Sequence, residues 1–537
     1  TPCGTLFPYT TLFRSLVGIW SSVLRVEKIG AEDNFFELGG HSLLATQVIS
    51  RIRDVFEVEL PLRNLFEFVT IRELASAIDR AGSDRTDVPP IEPMPENVEP
   101  MLSFAQERLW FLDQLEPNSP FYNIPDAVRI QGQLDIQKLE RCVNLVIQRH
   151  DSLRATFHKK DGKPVLTIKD DVTVSFEITD LRHLEDVQRD AEAIRLTAEE
   201  ARKPFDLTSA PLFRVRLLIM GDADFILLYT MHHIISDGWS SNVMVREIAL
   251  LYDNGGKDST FLPELPLQYS DYAWWQRNWL KGEVLDNELN YWKETLVDAP
   301  PVLNLPTDRP RPAMQTPNGD FISFELPLEF SQALNAISQA KGVTLFMTLL
   351  SAFYTLLYRY SGQDDINIGT PIANRTRGEL ENIIGFFVNT LVIRGDLSGN
   401  PTFDELLARI KASALGAFAH QDVPFEKIVD VLKVERNMSH SPLFQVMFAL
   451  QNTPAQDMET ETKLRISPVT AHSGTSKFDL TLFMVEEGGV ISGGFEYNTD
   501  LFDEATIHRM IAHFSTLLHQ IVTNSRQKIA ALPMSSV

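Results

Sequence analysis

Cysteine is nearly absent. The 537 residues contain only Cys3 and Cys142, too few for a disulfide framework and without the paired spacing of a zinc site, so a reducing cytoplasm is expected. Positive charge is also scarce, with 49 lysines and arginines against 72 aspartates and glutamates, a formal net charge of −23. A nucleic-acid backbone or an anionic membrane would meet net repulsion, so neither is expected as a partner. The start shows no basic segment followed by an apolar run and a small-residue cleavage site, hence no secretory signal. Long hydrophobic runs are missing as well. The longest apolar stretch, residues 345–360, is interrupted by Thr348, Ser351, Thr355 and Arg359 and reads as a buried helix rather than a membrane span.

What is present is an ordinary folded composition, 44% hydrophobic and 23% charged. The length exceeds the roughly 250–300 residues that one core holds, so two or three domains are expected. Residues 16–82 form a first unit, with apolar residues at helical spacing: Leu16, Ile19, Trp20 and Val23, then Leu44, Val48 and Ile52. Two shorter helical segments follow, the last with Thr70 placed to cap it. Residues 1–15 carry no helical periodicity of their own and read as disordered chain or an assembly scar. Residues 83–99, with Pro89, Pro90, Pro93 and Pro95, read as a semi-rigid extended linker that few contacts cross. Beyond it helices such as 135–149 alternate with strands such as 213–220 and 225–233, an α/β pattern. A proline-rich stretch with Pro300, Pro301, Pro306, Pro310, Pro312 and Pro317 marks a junction between two lobes, 100–280 and 281–532, and residues 533–537 open a further linker.

Two segments carry chemistry. Gly39 and Gly40 precede Ser42 at the start of an apolar-periodic helix, and the glycines permit a tight turn that projects the hydroxyl outward. Ser42 at such a position either caps its helix or presents its oxygen for modification by a phosphodiester, which a helix N-terminus favours. The second segment, Met231-His232-His233-Ile234-Ile235-Ser236-Asp237-Gly238-Trp239-Ser240, follows the apolar run 225–229 and precedes a helical pattern, so the pair lies where a buried strand becomes a loop. Successive strand side chains point to opposite faces, so one histidine faces a cavity and the other is structural. An imidazole with a reference pKa of about 6.5 can accept a proton near neutrality. Asp237 either holds a ring or pairs with an arginine. No other ligand stands at a spacing that suggests metal.

These motifs resemble those of nonribosomal peptide synthetases. The segment Phe35-Phe36-Glu37-Leu38-Gly39-Gly40-His41-Ser42, with Leu60-Pro61 and Leu65-Phe66-Glu67 after it, is similar to the peptidyl carrier signature. The segment His232-His233 to Asp237-Gly238 is similar to the condensation-domain motif. Around it, in the family's order, stand Ser103-Phe104-Ala105-Gln106-Glu107-Arg108-Leu109-Trp110, Arg149-His150-Asp151-Ser152-Leu153-Arg154 and Tyr269-Ser270-Asp271-Tyr272-Ala273-Trp274-Trp275-Gln276. Then come Ile384-Gly385-Phe386-Phe387-Val388-Asn389-Thr390, His420-Gln421-Asp422-Val423-Pro424-Phe425 and Ser441-Pro442-Leu443-Phe444-Gln445-Val446. Asp151 departs, since the family more often has glutamate there.

The resemblance implies a multidomain chain: a small all-α four-helix carrier bundle, then an α/β condensation domain of two chloramphenicol-acetyltransferase-like lobes in a V-shaped pseudodimer. It implies a covalent 4′-phosphopantetheine on Ser42, added by a phosphopantetheinyl transferase, and amide formation at a site with His233, His232, Asp237 and Gly238. Arg375 is implied as the ion-pair partner of Asp237, with Trp239 and Asn389 as structural residues of the site. An upstream adenylation domain and a downstream aminoacyl carrier are the implied partners, and carrier followed directly by condensation domain implies an L-configured donor. A heterocyclisation domain would have paired aspartates in place of the histidines, and the carrier-to-condensation order with Asp237-Gly238-Trp239-Ser240 disfavours an epimerisation domain. A non-enzymatic scaffold that recruits a loaded carrier or a tailoring enzyme is the remaining alternative.

Overall fold

The computed structural model describes residues 9–81, 88–435, 437–451, 458–459, 463–469 and 474–535. Helices α1 (Tyr9–Leu24), α2 (Ser42–Phe56), the short α3 (Arg63–Glu67) and α4 (Ile71–Ala81) pack around the fully buried Trp20, Phe35, Val48 and Leu74. Trp20 meets Phe35 edge-on, with ring centroids 5.1 Å apart. Thr70 opens α4 with reciprocal bonds: its Oγ1 accepts the Glu73 N–H at 3.2 Å, and the Glu73 carboxylate accepts the Thr70 N–H at 3.2 Å.

α1 begins at Tyr9, so the expectation that residues 1–15 lack helix fails from Tyr9 onward. Leu12 is fully buried four positions before Leu16 and extends the same face, a pattern that Thr10, Thr11 and Arg14 obscure in the sequence. Residues 1–8 lie outside the described residues.

In the first lobe, α5 (Phe104–Leu115), α6 (Ile136–Arg149), α7 (Asp186–Arg202), α8 (Gly238–Asp253) and α9 (Tyr269–Trp279) accompany β1 (Asn123–Gln131), β4 (Glu177–Asp180), β5 (Phe213–Gly221) and β6 (Asp224–His232). A separate hairpin joins β2 (Ala155–Lys160) to β3 (Lys163–Ile168). Strand β6 is central, and its side chains alternate between two cores. Ile226 and Leu228 face the cluster under α7, while Leu227, Tyr229 and Met231 face the larger core with α6 and α8. With both faces covered, it reads as a continuous apolar run. The strand ends at His232, and His233 begins the turn that follows.

The second lobe comprises α10 (Gly282–Leu296), β7 (Gly319–Glu325), α11 (Leu328–Ala340), α12 (Leu345–Ser361), β8 (Asp365–Ile372), β9 (Asn389–Asp396), α13 (Phe403–Ala419), α14 (Phe425–Val431), β10 (Val446–Gln451), β11 (Met458–Glu459), β12 (Arg465–Pro468), β13 (Leu480–Glu487), β14 (Val490–Asn498) and α15 (Glu504–Thr523). Its sheet runs β7-β14-β13-β10-β8-β9. α12 is the apolar helix expected at 345–360, and residues Phe346 to Leu357 along it are buried. Among the described residues no single helix is long and apolar enough to cross a membrane.

The lobes do not divide cleanly at residue 280. β12 pairs antiparallel with β1, Ile466 opposite Ile130, so the first lobe's sheet runs β11-β12-β1-β6-β5-β4 with two strands from the second half of the chain. Leu380, Ile383, Ile384, Phe386 and Phe387 also pack into the first lobe's core. The linker makes more contacts than its composition predicts. The Met94 N–H donates to Asp271 at 2.8 Å and Trp275 Nε1 donates to the Pro89 carbonyl at 2.8 Å, so its described part lies against α9.

Candidate active site

β6 ends at His232, and a single tight turn, His233–Ile235, leads into α8. His232 is 3% exposed, and its Nδ1 accepts the Ile234 N–H at 3.0 Å, so that nitrogen carries the lone pair. His233 is oppositely arranged. Its backbone N–H donates to the Tyr122 carbonyl at 2.8 Å, and its Nδ1 lies 2.8 Å from the Ser236 carbonyl oxygen. A carbonyl only accepts, so Nδ1 bears the proton and a neutral ring keeps its lone pair on Nε2. Unlike its neighbour, the His233 side chain is only half-buried, and its ring lies against Phe386 with centroids 4.3 Å apart. Burial lowers the pKa of both rings, and the Lys477 ammonium lowers both further, against the Ser236 bond and Asp237, which raise that of His233. The neutral form therefore prevails at neutral pH.

Asp237 touches neither ring by hydrogen bond. It caps α8: its Oδ1 accepts from the Ser240 N–H and Oγ at 3.0 and 2.8 Å, while Oδ2 accepts the N–H groups of Phe387 and Val388 at 3.0 and 3.1 Å. Arg375 donates to Oδ1 at 3.0 Å and to the Leu380 carbonyl at 2.7 Å, and it also bonds the Ile383 carbonyl. Of the two roles open to Asp237, the carboxylate is committed to the arginine. Gly238 opens α8 exposed, with nothing within 4 Å of a would-be Cβ, so packing does not demand glycine there. Trp239 Nε1 donates to the Glu381 carbonyl at 2.8 Å. Asn389 shapes a turn, its Nδ2 donating to the Gln421 and Val423 carbonyls at 3.0 and 2.8 Å and its Oδ1 accepting the Phe425 N–H at 3.0 Å.

Two residues that the sequence reading gave no role hold the same loop. Ser240 Oγ accepts the Gly385 N–H at 3.0 Å, and the Tyr269 hydroxyl donates to the Phe386 carbonyl at 2.7 Å. Gly385 admits no side chain, because a Cβ would lie 2.2 Å from the Tyr269 ring. The three-residue step from Asp237 to Ser240 was the available signal, a helix cap that also offers a hydroxyl.

In the carrier unit, Gly39 has φ +96°, and a Cβ on Gly40 would come within 2.3 Å of the Phe35 ring. His41 is the N-cap, extended at φ −148°, with Nδ1 accepting the Leu44 N–H at 3.4 Å. Ser42 is therefore the first helical residue and not the cap; its side chain lies outside the described atoms. A helix N-terminus opened by a glycine turn suits a phosphodiester, so the residues present fit a phosphopantetheine attachment. α2 rests on the second lobe. Arg51 lies 3.4 Å from Glu381 and Arg53 donates to the Thr376 carbonyl at 3.3 Å. Between the two units is a crevice of about 150 Å³ lined by Thr46, Arg53, Trp275, Arg377 and Asp422.

A small helical unit thus stands before a domain of two sheets whose histidine turn is locked by residues from both halves of the chain. The chain belongs to the condensation-domain family of nonribosomal peptide synthetases: the condensation-domain model matches residues 97–536, and that of the phosphopantetheine attachment site matches residues 14–78. It is 50% identical over 534 residues to one of the linear gramicidin synthase proteins of Brevibacillus parabrevis, covering 98% of this chain and 10% of that protein. The chain thus spans about a tenth of that relative's length. The X-domain from teicoplanin biosynthesis, solved in complex with OxyB, superposes with a TM-score of 0.76 at 26% identity over 84% of this chain and 99% of that one. The four-domain synthetase AB3403 superposes at 0.73 with 25% identity, over 84% of this chain and 35% of that one.

Proposed function

We propose that this chain forms peptide bonds, with Ser42 presenting the donor acyl group and His233 serving the amine of an acceptor aminoacyl thioester held on a downstream carrier. In this reading the two lobes are acetyltransferase-like halves of a V-shaped pseudodimer that open a passage to His233 from two sides. Once attached to Ser42, phosphopantetheine supplies a thiol that holds the donor as an activated thioester. The observation that carries the reading is the half-buried His233 ring, its Nδ1 proton fixed by the Ser236 carbonyl at 2.8 Å and its Nε2 left with the lone pair. That nitrogen can take the amine proton or orient the amine by accepting it in a hydrogen bond. Holding both reactants at one site makes the encounter effectively unimolecular. The partners that follow are an adenylation domain, an aminoacyl carrier and a phosphopantetheinyl transferase, in the cytoplasm, with L-configured donor and acceptor.

The likeness to an X-domain solved with OxyB favours a second reading, a scaffold that recruits a partner without chemistry. The two separate in one assay. The chain is loaded with a peptidyl group from synthetic peptidyl-coenzyme A by a phosphopantetheinyl transferase, offered an aminoacyl-pantetheine thioester and followed by mass spectrometry. Amide product that disappears in Ser42→Ala supports the enzyme, and a loaded chain that yields none leaves the scaffold.

A further inference from the structure

His233 is a neutral acceptor, and attack on a thioester also needs something to meet the negative charge that develops on the carbonyl oxygen. Arg375 is unavailable, being bonded to Asp237 and to the carbonyls of Leu380 and Ile383. Lys477 is placed differently. It lies in the segment that returns from the crossover strand β12 to β13, and its backbone is pinned on both sides. Gln315 Nε2 donates to the Lys477 carbonyl at 2.8 Å, the Ser476 N–H donates to Pro317 at 2.9 Å and the Asp479 N–H donates to Gln445 at 3.1 Å. From this anchor in the second lobe the side chain reaches the first, where Nζ stands 6.0 Å from the centroid of the Tyr122 ring. Tyr122 is the residue whose carbonyl holds the His233 N–H at 2.8 Å.

Among the described residues the Lys477 ammonium has no hydrogen bond and no ion pair, although its side chain is half-buried. An ammonium withdrawn from water with no hydrogen bond to replace it is costly, and surface solubility does not explain it. Burial draws its pKa down to about 8, against Glu496, so it remains charged at neutral pH. Burial is the larger cause that keeps both histidines of the site neutral, and the cation adds to it at each ring.

We propose that Lys477 is a further catalytic residue of amide formation, its ammonium stabilising the oxyanion that forms when the acceptor amine attacks the thioester beside His233. The inference rests on the acyl-transfer reading above. In the step, the amine lone pair forms the C–N bond and the carbonyl π pair moves to oxygen, next to the ammonium. Collapse restores the carbonyl, the C–S pair leaves with sulfur, and the proton lost by nitrogen ends on that sulfur. Lys477 keeps its own proton throughout. A neutral base and a cation that acts on it are mutually consistent, since the cation opposes protonation of the base.

The test compares the parent chain with Lys477→Met and Lys477→Arg. Single-turnover amide formation from the loaded chain and an aminoacyl-pantetheine thioester is expected to slow roughly 10²- to 10³-fold in Lys477→Met, as for loss of one oxyanion donor, with KM for the acceptor unchanged. Lys477→Arg restores most of the rate. Independently of turnover, the pKa of His233 read from ¹⁵N-histidine spectra rises in Lys477→Met and stays near the parent value in Lys477→Arg. An active parent with Lys477→Met within threefold of its rate, or an unmoved His233 pKa in Lys477→Met, overturns the role of Lys477 alone. A loaded parent that makes no amide overturns the acyl-transfer reading, and this inference with it.

Discussion

Asp237 and Arg375, 138 positions apart, meet at 3.0 Å with side chains only 2% and 1% exposed, and they join the two lobes directly behind the histidine turn. The carboxylate also binds the N–H groups of Phe387 and Val388, and the guanidinium also binds the carbonyls of Leu380 and Ile383. The pair thus fixes both ends of the loop whose Phe386 ring lies against His233. Buried ion pairs add little net stability over apolar packing, yet removing one partner strands the other. Its contribution is therefore to geometry more than to overall stability.

From that follows an asymmetry between substitutions. Asp237→Ala leaves the Arg375 guanidinium buried with no counter-ion and should destabilise the chain by about 3–5 kcal/mol. Asp237→Asn keeps the cap on α8 and the volume, so its cost should be smaller. Urea unfolding of the three chains measures both. A loss below about 1 kcal/mol in Asp237→Ala would mean that other contacts hold the loop.

Much of this was legible because the signals were local. The run Phe225-Ile226-Leu227-Leu228-Tyr229 marks a strand covered on both faces, and its end locates the histidine turn without further information. The pairing of Arg375 with Asp237 came only from resemblance, since nothing within either segment points to the other. The crossover of β12 onto β1 was illegible for a related reason: β12 is four residues long, and its partner lies more than 300 positions earlier. Lys477 was missed because a single lysine in a loop carries no pattern. Its character comes from what surrounds it after the lobes close.

The two histidines should fail in different ways when removed. His233 contributes its free nitrogen, so His233→Ala should lose about 10²–10⁴ in the rate of amide formation while unfolding at nearly the parent urea concentration. His232 accepts the buried Ile234 N–H. His232→Ala leaves that donor unsatisfied at about 1–3 kcal/mol, a loss of stability first and of rate only as a consequence. Equal effects of the two substitutions on both readouts would remove the division of roles.

The hydrogen bonds also fix tautomers, which can be observed directly. At neutral pH the His233 ring should carry its proton on Nδ1, where the Ser236 carbonyl accepts it, and His232 should carry its proton on Nε2, because Nδ1 accepts the Ile234 N–H. Long-range ¹H–¹⁵N spectra of histidine-labelled chain distinguish the two, with His232→Asn and His233→Ala supplying the assignments. The same tautomer at both positions would contradict the arrangement.

Burial of neutral imidazoles also sets how stability depends on pH. An unfolded histidine takes up its proton at about pH 6.5, whereas His232 and His233 in the folded chain resist protonation until well below that value. Between those limits the unfolded state binds more protons, so stability is fully present above pH 6.5 and declines as the pH falls. Asp422 acts in the opposite sense, because burial raises its pKa to about 6 and the folded state takes up that proton first. Burial also raises the pKa of Asp54, Asp113, Asp151 and Glu426, which act with Asp422, and lowers that of His41 and His513, which act with the two site histidines. The histidines, with the higher unfolded pKa, titrate first as the pH falls from about 6.5. The urea midpoint should therefore be steady from pH 7.5 to 6.5 and fall by pH 5.5. In His232→Asn, where the amide oxygen can still accept the Ile234 N–H, the acid slope should shrink by one proton, about 1.4 kcal/mol per pH unit. An unchanged slope in that variant would show that His232 titrates alike in the folded and unfolded chains and that its burial has no electrostatic consequence.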